Sequence, residues 1–156
     1  MKTMIIMLLS AAFLGHGACA QKVPEAKVPP EVTSAFKAKF PNVGKTSWEM
    51  ENANEYEANF KLNGTEVSAN FEKTGAWVET ETEIKVSALP APVQSVLSKD
   101  FAGYKINEAS KIESRSNGSC YEAEIEKGEE TFDVLFSADG KILSKTKTEE
   151  EKGDKD

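Results

Sequence analysis

Residues 56–72 read YEANFKLNGTEVSANFE, and this stretch decides the fold. Tyr56, Ala58, Phe60 and Leu62 alternate with Glu57, Asn59 and Lys61; after Asn63-Gly64, Val67, Ala69 and Phe71 alternate with Ser68, Asn70 and Glu72. Alternation with period two puts one set on a buried face and the other in water. Asn-Gly is the preferred pair for a two-residue turn, because both central residues need positive φ. The stretch is therefore an antiparallel hairpin with one apolar face. Working outward, Trp48 and Met50 alternate with Glu49 and Glu51 in a preceding strand, and Lys73-Thr74-Gly75 turns into a fourth strand from Trp77 to about Ile84. Upstream, Val32, Phe36 and Phe40 step by four along a short helix, opened by Pro29-Pro30 and ended by Pro41.

The same unit recurs. Val28-Pro29-Pro30-Glu31-Val32 is similar to Leu89-Pro90-Ala91-Pro92-Val93, and Phe36 and Phe40 fall on Leu97 and Phe101 at the same shift of 61. Tyr56-Glu57-Ala58 matches Tyr121-Glu122-Ala123 at a shift of 65, as Val67, Ala69, Phe71 and Gly75 match Phe132, Val134, Phe136 and Gly140. Four extra residues thus separate the second helix from its second strand. Strands are expected at 111–114, 121–126, 131–137 and 141–147. The fold class is α+β: a tandem repeat of a helix followed by a four-stranded antiparallel meander, the helices on one face. The expected division is a signal peptide at 1–20, a flexible leader at 21–27, a first repeat at 28–88, a second at 89–148 and a disordered acidic tail at 149–156. Units of about 60 residues are marginal alone, so the copies are expected to pack side by side.

The leader peptide carries its own signals. Lys2 precedes the apolar run from Met4 to Leu14, and Ala18-Cys19-Ala20 supplies the small-x-small cleavage pattern of export. Cleavage after Ala20 leaves 136 residues from Gln21 and takes the net charge from −7 to −8, because Lys2 is lost. The alternative is a lipoprotein acylated at Cys19, disfavoured by His16 three positions before the cysteine. The expected location is the periplasm or the medium.

Composition then excludes whole classes. The mature chain has no histidine, so it holds no Ser-His-Asp triad, Cys-His pair or His-ligated zinc. One arginine, Arg115, makes no phosphate-gripping cluster, and the net negative charge repels nucleic acid. No later apolar run is long enough to span a bilayer. Cys120 is the one mature cysteine and reads as a small inert side chain. No cofactor motif is present and no enzyme is expected.

The candidate site is a surface. Glu79, Glu81 and Glu83, then Glu122, Glu124 and Glu126, alternate along two strands and give an acidic face, read as solvated. Residues two apart on a strand lie about 7 Å apart, which suits such a face better than one cation's coordination sphere. Leu135 has the wrong parity for the core, and the adjacent pairs Trp77-Val78 and Ile142-Leu143 should each turn one member outward. Glu79, Glu81, Glu122, Glu124, Leu135, Trp77 and Ile142 are the candidate partner-binding residues. Asn63-Gly64-Thr65 and Asn117-Gly118-Ser119 fit a glycosylation pattern but are read as turns.

The duplicated helix-plus-meander, the Val/Leu-Pro openings, the Tyr-Glu-Ala strands and the Asp139-Gly140-Lys141 turn resemble the PepSY-like, β-lactamase-inhibitor-like exported proteins, found mostly in Bacteroidetes. The resemblance covers residues 28 to 148. It implies a tandem α+β architecture similar to the inhibitor protein, whose sheet face holds an enzyme; the disulfides of that inhibitor are missing here, so no contact residue is transferred. The resulting expectation is a monomeric, non-catalytic, inhibitor-like module that binds an envelope or secreted protein through its acidic sheet face. Binding of a cation or small ligand in the envelope is the alternative.

Overall fold

The computed structural model describes residues 21–148. The expected cleavage site at Ala18 and Ala20, Cys19 and the tail at 149–156 lie outside the described residues. The chain runs β1 (Gln21–Val23), α1 (Pro30–Lys39), β2 (Thr46–Asn52), β3 (Glu55–Leu62), β4 (Thr65–Glu72), β5 (Trp77–Glu83), α2 (Ala91–Asp100), β6 (Lys105–Ser114), β7 (Gly118–Lys127), β8 (Glu130–Ser137) and β9 (Ile142–Thr148). The strands form one nine-stranded sheet in sequence order, every neighbour antiparallel. Strand β5 joins the two halves edge to edge, pairing with β6 from Glu79 opposite Ser114 to Glu83 opposite Ser110.

Residues 21–27 are not a flexible leader. Gln21, Lys22 and Val23 pair with Met50, Glu49 and Trp48, and Glu25–Lys27 form a 3-10 turn. Val23 packs on the first core, which gives this short edge strand its anchor. Strand β6 begins at Lys105, six residues before its expected start, because Ile106 and Ala109 also face the second core.

Both helices lie on one face. Pro29 and Pro90 immediately precede them, where a missing N–H leaves no bond unmade. Val32 and Phe36 of α1 pack over Trp48, Ala58, Phe60, Val67, Ala69 and Phe71. The Phe36 ring stands edge-on to Trp48 and Phe60, each 5.2 Å away between centroids. Under α2 the matching positions are Leu97, Ala109 and Ile125, and aromatic bulk returns as Tyr104 and Phe132 where the first half has Val43 and Val67. Such volume-conserving exchange keeps a core packed.

The turns after β4 and β8 hold the helix starts. Gly75 has φ +84°, and a Cβ there would meet the Glu31 carbonyl oxygen at 2.6 Å; Gly140 has φ +87° and would meet the Pro92 carbonyl at 2.9 Å. Asn63 and Gly64 take φ 53° and 85°, the pair of positive values that the hairpin turn demands.

Candidate functional site on the uncovered sheet face

Among the described residues, the second face of the sheet carries no helix. Cross-strand partners share a face, so the register gives its composition as rows. One row runs Glu49, Glu57, Asn70, Glu79 and Ser114 from β2 to β6. The next runs Ser47, Asn59, Ser68, Glu81, Ile112, Cys120 and Ser137. A third holds Glu83, Ser110, Glu122, Leu135 and Ser144, and a fourth Glu108, Glu124, Asp133 and Thr146. The first row continues onto β1 at Lys22, opposite Glu49; among the described residues the other three rows hold no lysine or arginine.

The middle of this face is buried, although no layer lies over it. Asn70 is 1 % exposed, Glu57 4 % and Glu81 5 %, and Ser68, Ser110, Ser114 and Asp133 are buried too. A wide antiparallel sheet coils, and long side chains on adjacent strands cover the short ones between them. Ile112, Cys120 and Leu135 form a small apolar cluster of their own among these polar groups.

Hydrogen bonding leaves the anions incompletely served. Asn59 donates to Glu57 Oε2 at 3.3 Å, Thr148 donates to Asp133 at 3.1 Å, and Asn107 Nδ2 donates to Glu124 and Glu126 at 2.9 Å each. Among the described residues, Glu57 Oε1 and Asn70 Nδ2 are buried without a partner. They belong to directly opposed residues, one offering a lone pair and the other a proton.

Proton affinities follow from this burial. Burial first, then repulsion by Glu51 and Glu49, pushes Glu57 up to about 7, against the bonds from Asn59 and Ser68. Glu79 rises to about 7 through burial, with Glu81 the strongest repelling charge. Burial raises Asp133 to about 6, helped by Glu124 and Glu108 and opposed by Thr148. Glu81 and Glu122 rise together: burial dominates both, and Glu122 also feels Glu81, Asp133 and Glu79. A desolvated carboxylate holds its proton because the anion has lost its water.

Residues 18–68 and 54–144 match the family model described as "Putative beta-lactamase-inhibitor-like, PepSY-like". The chain belongs to the PepSY-like family. Three solved Bacteroides structures share its fold. A protein of B. eggerthii described as among "putative periplasmic proteins" is 19 % identical, with TM-score 0.70, over 77 % of this chain and 88 % of that one. A DUF2874 family protein of B. uniformis is 20 % identical, with TM-score 0.70, over 76 % and 88 %. A BLIP-like protein of B. fragilis is 22 % identical, with TM-score 0.66, over 77 % and 86 %. No curated protein matches the sequence.

In this PepSY-like chain the seven candidate residues separate into two groups. Glu79, Glu81, Glu122, Glu124 and Leu135 share the uncovered face, as the alternation indicates. Leu135 is only 4 % exposed, so it is part of a floor rather than a protruding contact. Trp77 and Ile142 lie with the other face, which corrects the expectation that they join the acidic surface. The pairing of β4 with β5 slips between Asn70 and Phe71, and that of β8 with β9 between Leu135 and Phe136. A bulge inserts one residue and reverses parity beyond it. Trp77 therefore stands opposite Phe71, against the first core, with its indole N–H donating to Thr80 at 3.0 Å and Lys39 Nζ 4.0 Å from its ring. Ile142 stands opposite Phe136 and is 39 % exposed. The reading of a solvated acidic face also fails at its centre, where Glu57, Glu81 and Asp133 are buried.

Glu57, Asn70 and Asp133 were not singled out by sequence, although their parity already assigned them to this face. Burial first, then repulsion by Glu79, Glu122 and Glu81, pushes the Cys120 thiol up to about 11 and leaves it a poor nucleophile. Among the described residues no three carboxylates or thiols are grouped so as to hold a metal ion, and no helix is long and apolar enough to cross a membrane.

Proposed function

We propose that this is an exported, non-catalytic, inhibitor-like module that binds a protein through the uncovered face of its sheet. The observation that carries the reading is the pair of buried, unpartnered atoms Glu57 Oε1 and Asn70 Nδ2, set in carboxylate-rich rows whose one described lysine, Lys22, stands at the β1 edge opposite Glu49. Leaving buried polar groups unpaired costs roughly 1–3 kcal/mol each, and a partner that reaches them recovers that cost. The apolar floor of Ile112, Cys120 and Leu135 suits a desolvated centre, and the glutamates around it suit a basic rim. The export signal and the periplasmic description of a structural neighbour support an envelope location.

The test compares the wild-type protein with the double variant Glu79→Gln and Glu122→Gln, which keeps shape and removes charge. Both are immobilised and exposed to envelope extract at pH 7.5 and at pH 5. A stoichiometric partner held by the wild type at pH 7.5 and lost in the variant supports the reading. Equal retention by both proteins would overturn the choice of face.

A further inference from the structure

The two halves treat one concavity in opposite ways. In the first half the 3-10 turn at Glu25–Lys27 precedes α1; in the second, a 3-10 turn at Val86–Ala88 precedes α2, 61 positions later in both its turn and its helix. Between turn and helix in the first half, Lys37 and Glu25 form an ion pair at 3.6 Å. The matching residues of the second half are Ser98 and Val86, and Lys45 is matched by Ile106. Charge has been removed from every one of these positions. A cavity of about 460 Å³ lies there, with Leu97 and Phe101 as its floor and Val86, Tyr104 and Ile106 as walls. Small-molecule sites commonly fall between about 300 and 1,000 Å³.

Among the described residues, two polar side chains besides the Tyr104 phenol reach the lining, Gln94 and Ser98. Gln94 Nε2 donates to the carbonyl oxygens of Leu89 at 2.7 Å and Ser87 at 3.4 Å. Ser98 Oγ donates to the Ser95 carbonyl at 2.9 Å. Their protons are spent on the protein's own backbone, so Gln94 Oε1 and the lone pairs of Ser98 Oγ remain as acceptors. Among the described residues, no charged side chain lines the space. The aromatic wall is held from behind: Tyr104 stands edge-on to Phe101 at 5.8 Å and to Phe132 at 6.4 Å, and Lys145 Nζ lies over all three rings.

We propose that this cavity binds a small uncharged aromatic molecule carrying a hydroxyl or N–H donor. The ring fills the apolar space against Leu97, Phe101 and Tyr104, and the donor meets Ser98 or Gln94. This site is independent of the acidic face, which lies on the opposite side of the sheet.

The probes are 2-naphthol and its donor-free analogue 2-methoxynaphthalene, titrated into the ¹⁵N-labelled exported protein. The expected result is saturable shifts of backbone amides in residues 94–106, with naphthol at least tenfold tighter than the methoxy compound. The double variant Val86→Glu and Ser98→Lys installs the ion pair that joins turn and helix in the first half, and should weaken naphthol at least tenfold. Ser98→Ala changes one exposed hydroxyl and should weaken naphthol three- to tenfold, leaving the methoxy compound unchanged. No saturable shift up to millimolar probe, equal affinity for both probes, or unchanged naphthol affinity in both variants would overturn the proposal. So would concentration-dependent broadening of the same amides without probe, which would make the cavity a contact between copies.

Discussion

Replacing Glu57 by Gln should stabilise the protein in alkali and leave it unchanged in acid. The ordinary value of this carboxyl is 4.5, and in the fold it is pushed up to about 7. Between those values the folded state keeps a proton that the unfolded chain has released, so stability falls as pH rises through this window and levels off above 7. The difference, at 1.36 kcal/mol per pH unit, is about 3 kcal/mol at pH 8.5 and close to zero at pH 4. With Glu57 at 4 % exposure little solvent screening reduces it, although interior relaxation trims such figures to about 1–3 kcal/mol. Glutamine keeps an oxygen for the bond from Asn59 and carries no charge to desolvate. Urea unfolding of both proteins at pH 4.0 and 8.5 measures the effect. The variant should match wild type within about 0.5 kcal/mol at pH 4.0 and exceed it by about 2 kcal/mol at pH 8.5. A variant no more stable at pH 8.5 would refute the reasoning.

Gly75→Ala and Gly140→Ala should each cost about 2–4 kcal/mol, because a positive φ is compounded by collision with a helix's first turn. Gly64→Ala, with open space around the same kind of φ, should cost only about 1–2 kcal/mol; denaturant midpoints separate the cases. Cys120 should resist a thiol-directed disulfide reagent at pH 8 until the protein unfolds, so modification and unfolding rates coincide; rapid reaction of the folded protein would contradict its burial. Phe36→Ala should cost about 3–5 kcal/mol by chemical denaturation, since the ring meets Trp48, Phe60, Phe71 and Phe40.

The hairpin at 56–72 was legible because two signals coincided there: strict alternation and an Asn-Gly turn. Every residue of that stretch takes the face its parity assigned. Parity failed at Trp77 and Ile142 for one shared reason. Each follows a glycine turn and enters its strand through a bulge, and a single inserted residue exchanges the faces of everything before it. The adjacent apolar pairs Trp77-Val78 and Ile142-Leu143 were the visible trace of those bulges, since a regular half-buried strand does not place two apolar residues in succession. The leader was misread because three residues of edge strand carry too little pattern to separate from coil. The depth of Glu57 and Glu81 was not legible at all. Burial on a face without a covering layer depends on how nine strands coil together, and no local period reports that.

The distribution of ion pairs fits the proposed role of the central anions in recognition. Lys61 with Glu66, Arg115 with Glu72 and Lys147 with Glu130 stand at strand ends and turns, and all six side chains are at least 42 % exposed. Each is worth little to stability. The six raised carboxylates, Glu51, Glu57, Glu79, Glu81, Glu122 and Asp133, take part in none of the described ion pairs. The chain is not short of lysine, yet among the described residues these rows hold one, Lys22 opposite Glu49 at the β1 edge. Serine or threonine would have filled the same strand positions without desolvating a charge, as Thr80 and Thr82 do on the other side of β5. A domain that is stable by only about 5–15 kcal/mol nevertheless keeps charges whose burial costs it several kcal/mol above neutral pH. A cation supplied by a partner would restore those charges to a paired state, and the cost borne by the free protein becomes affinity in the complex.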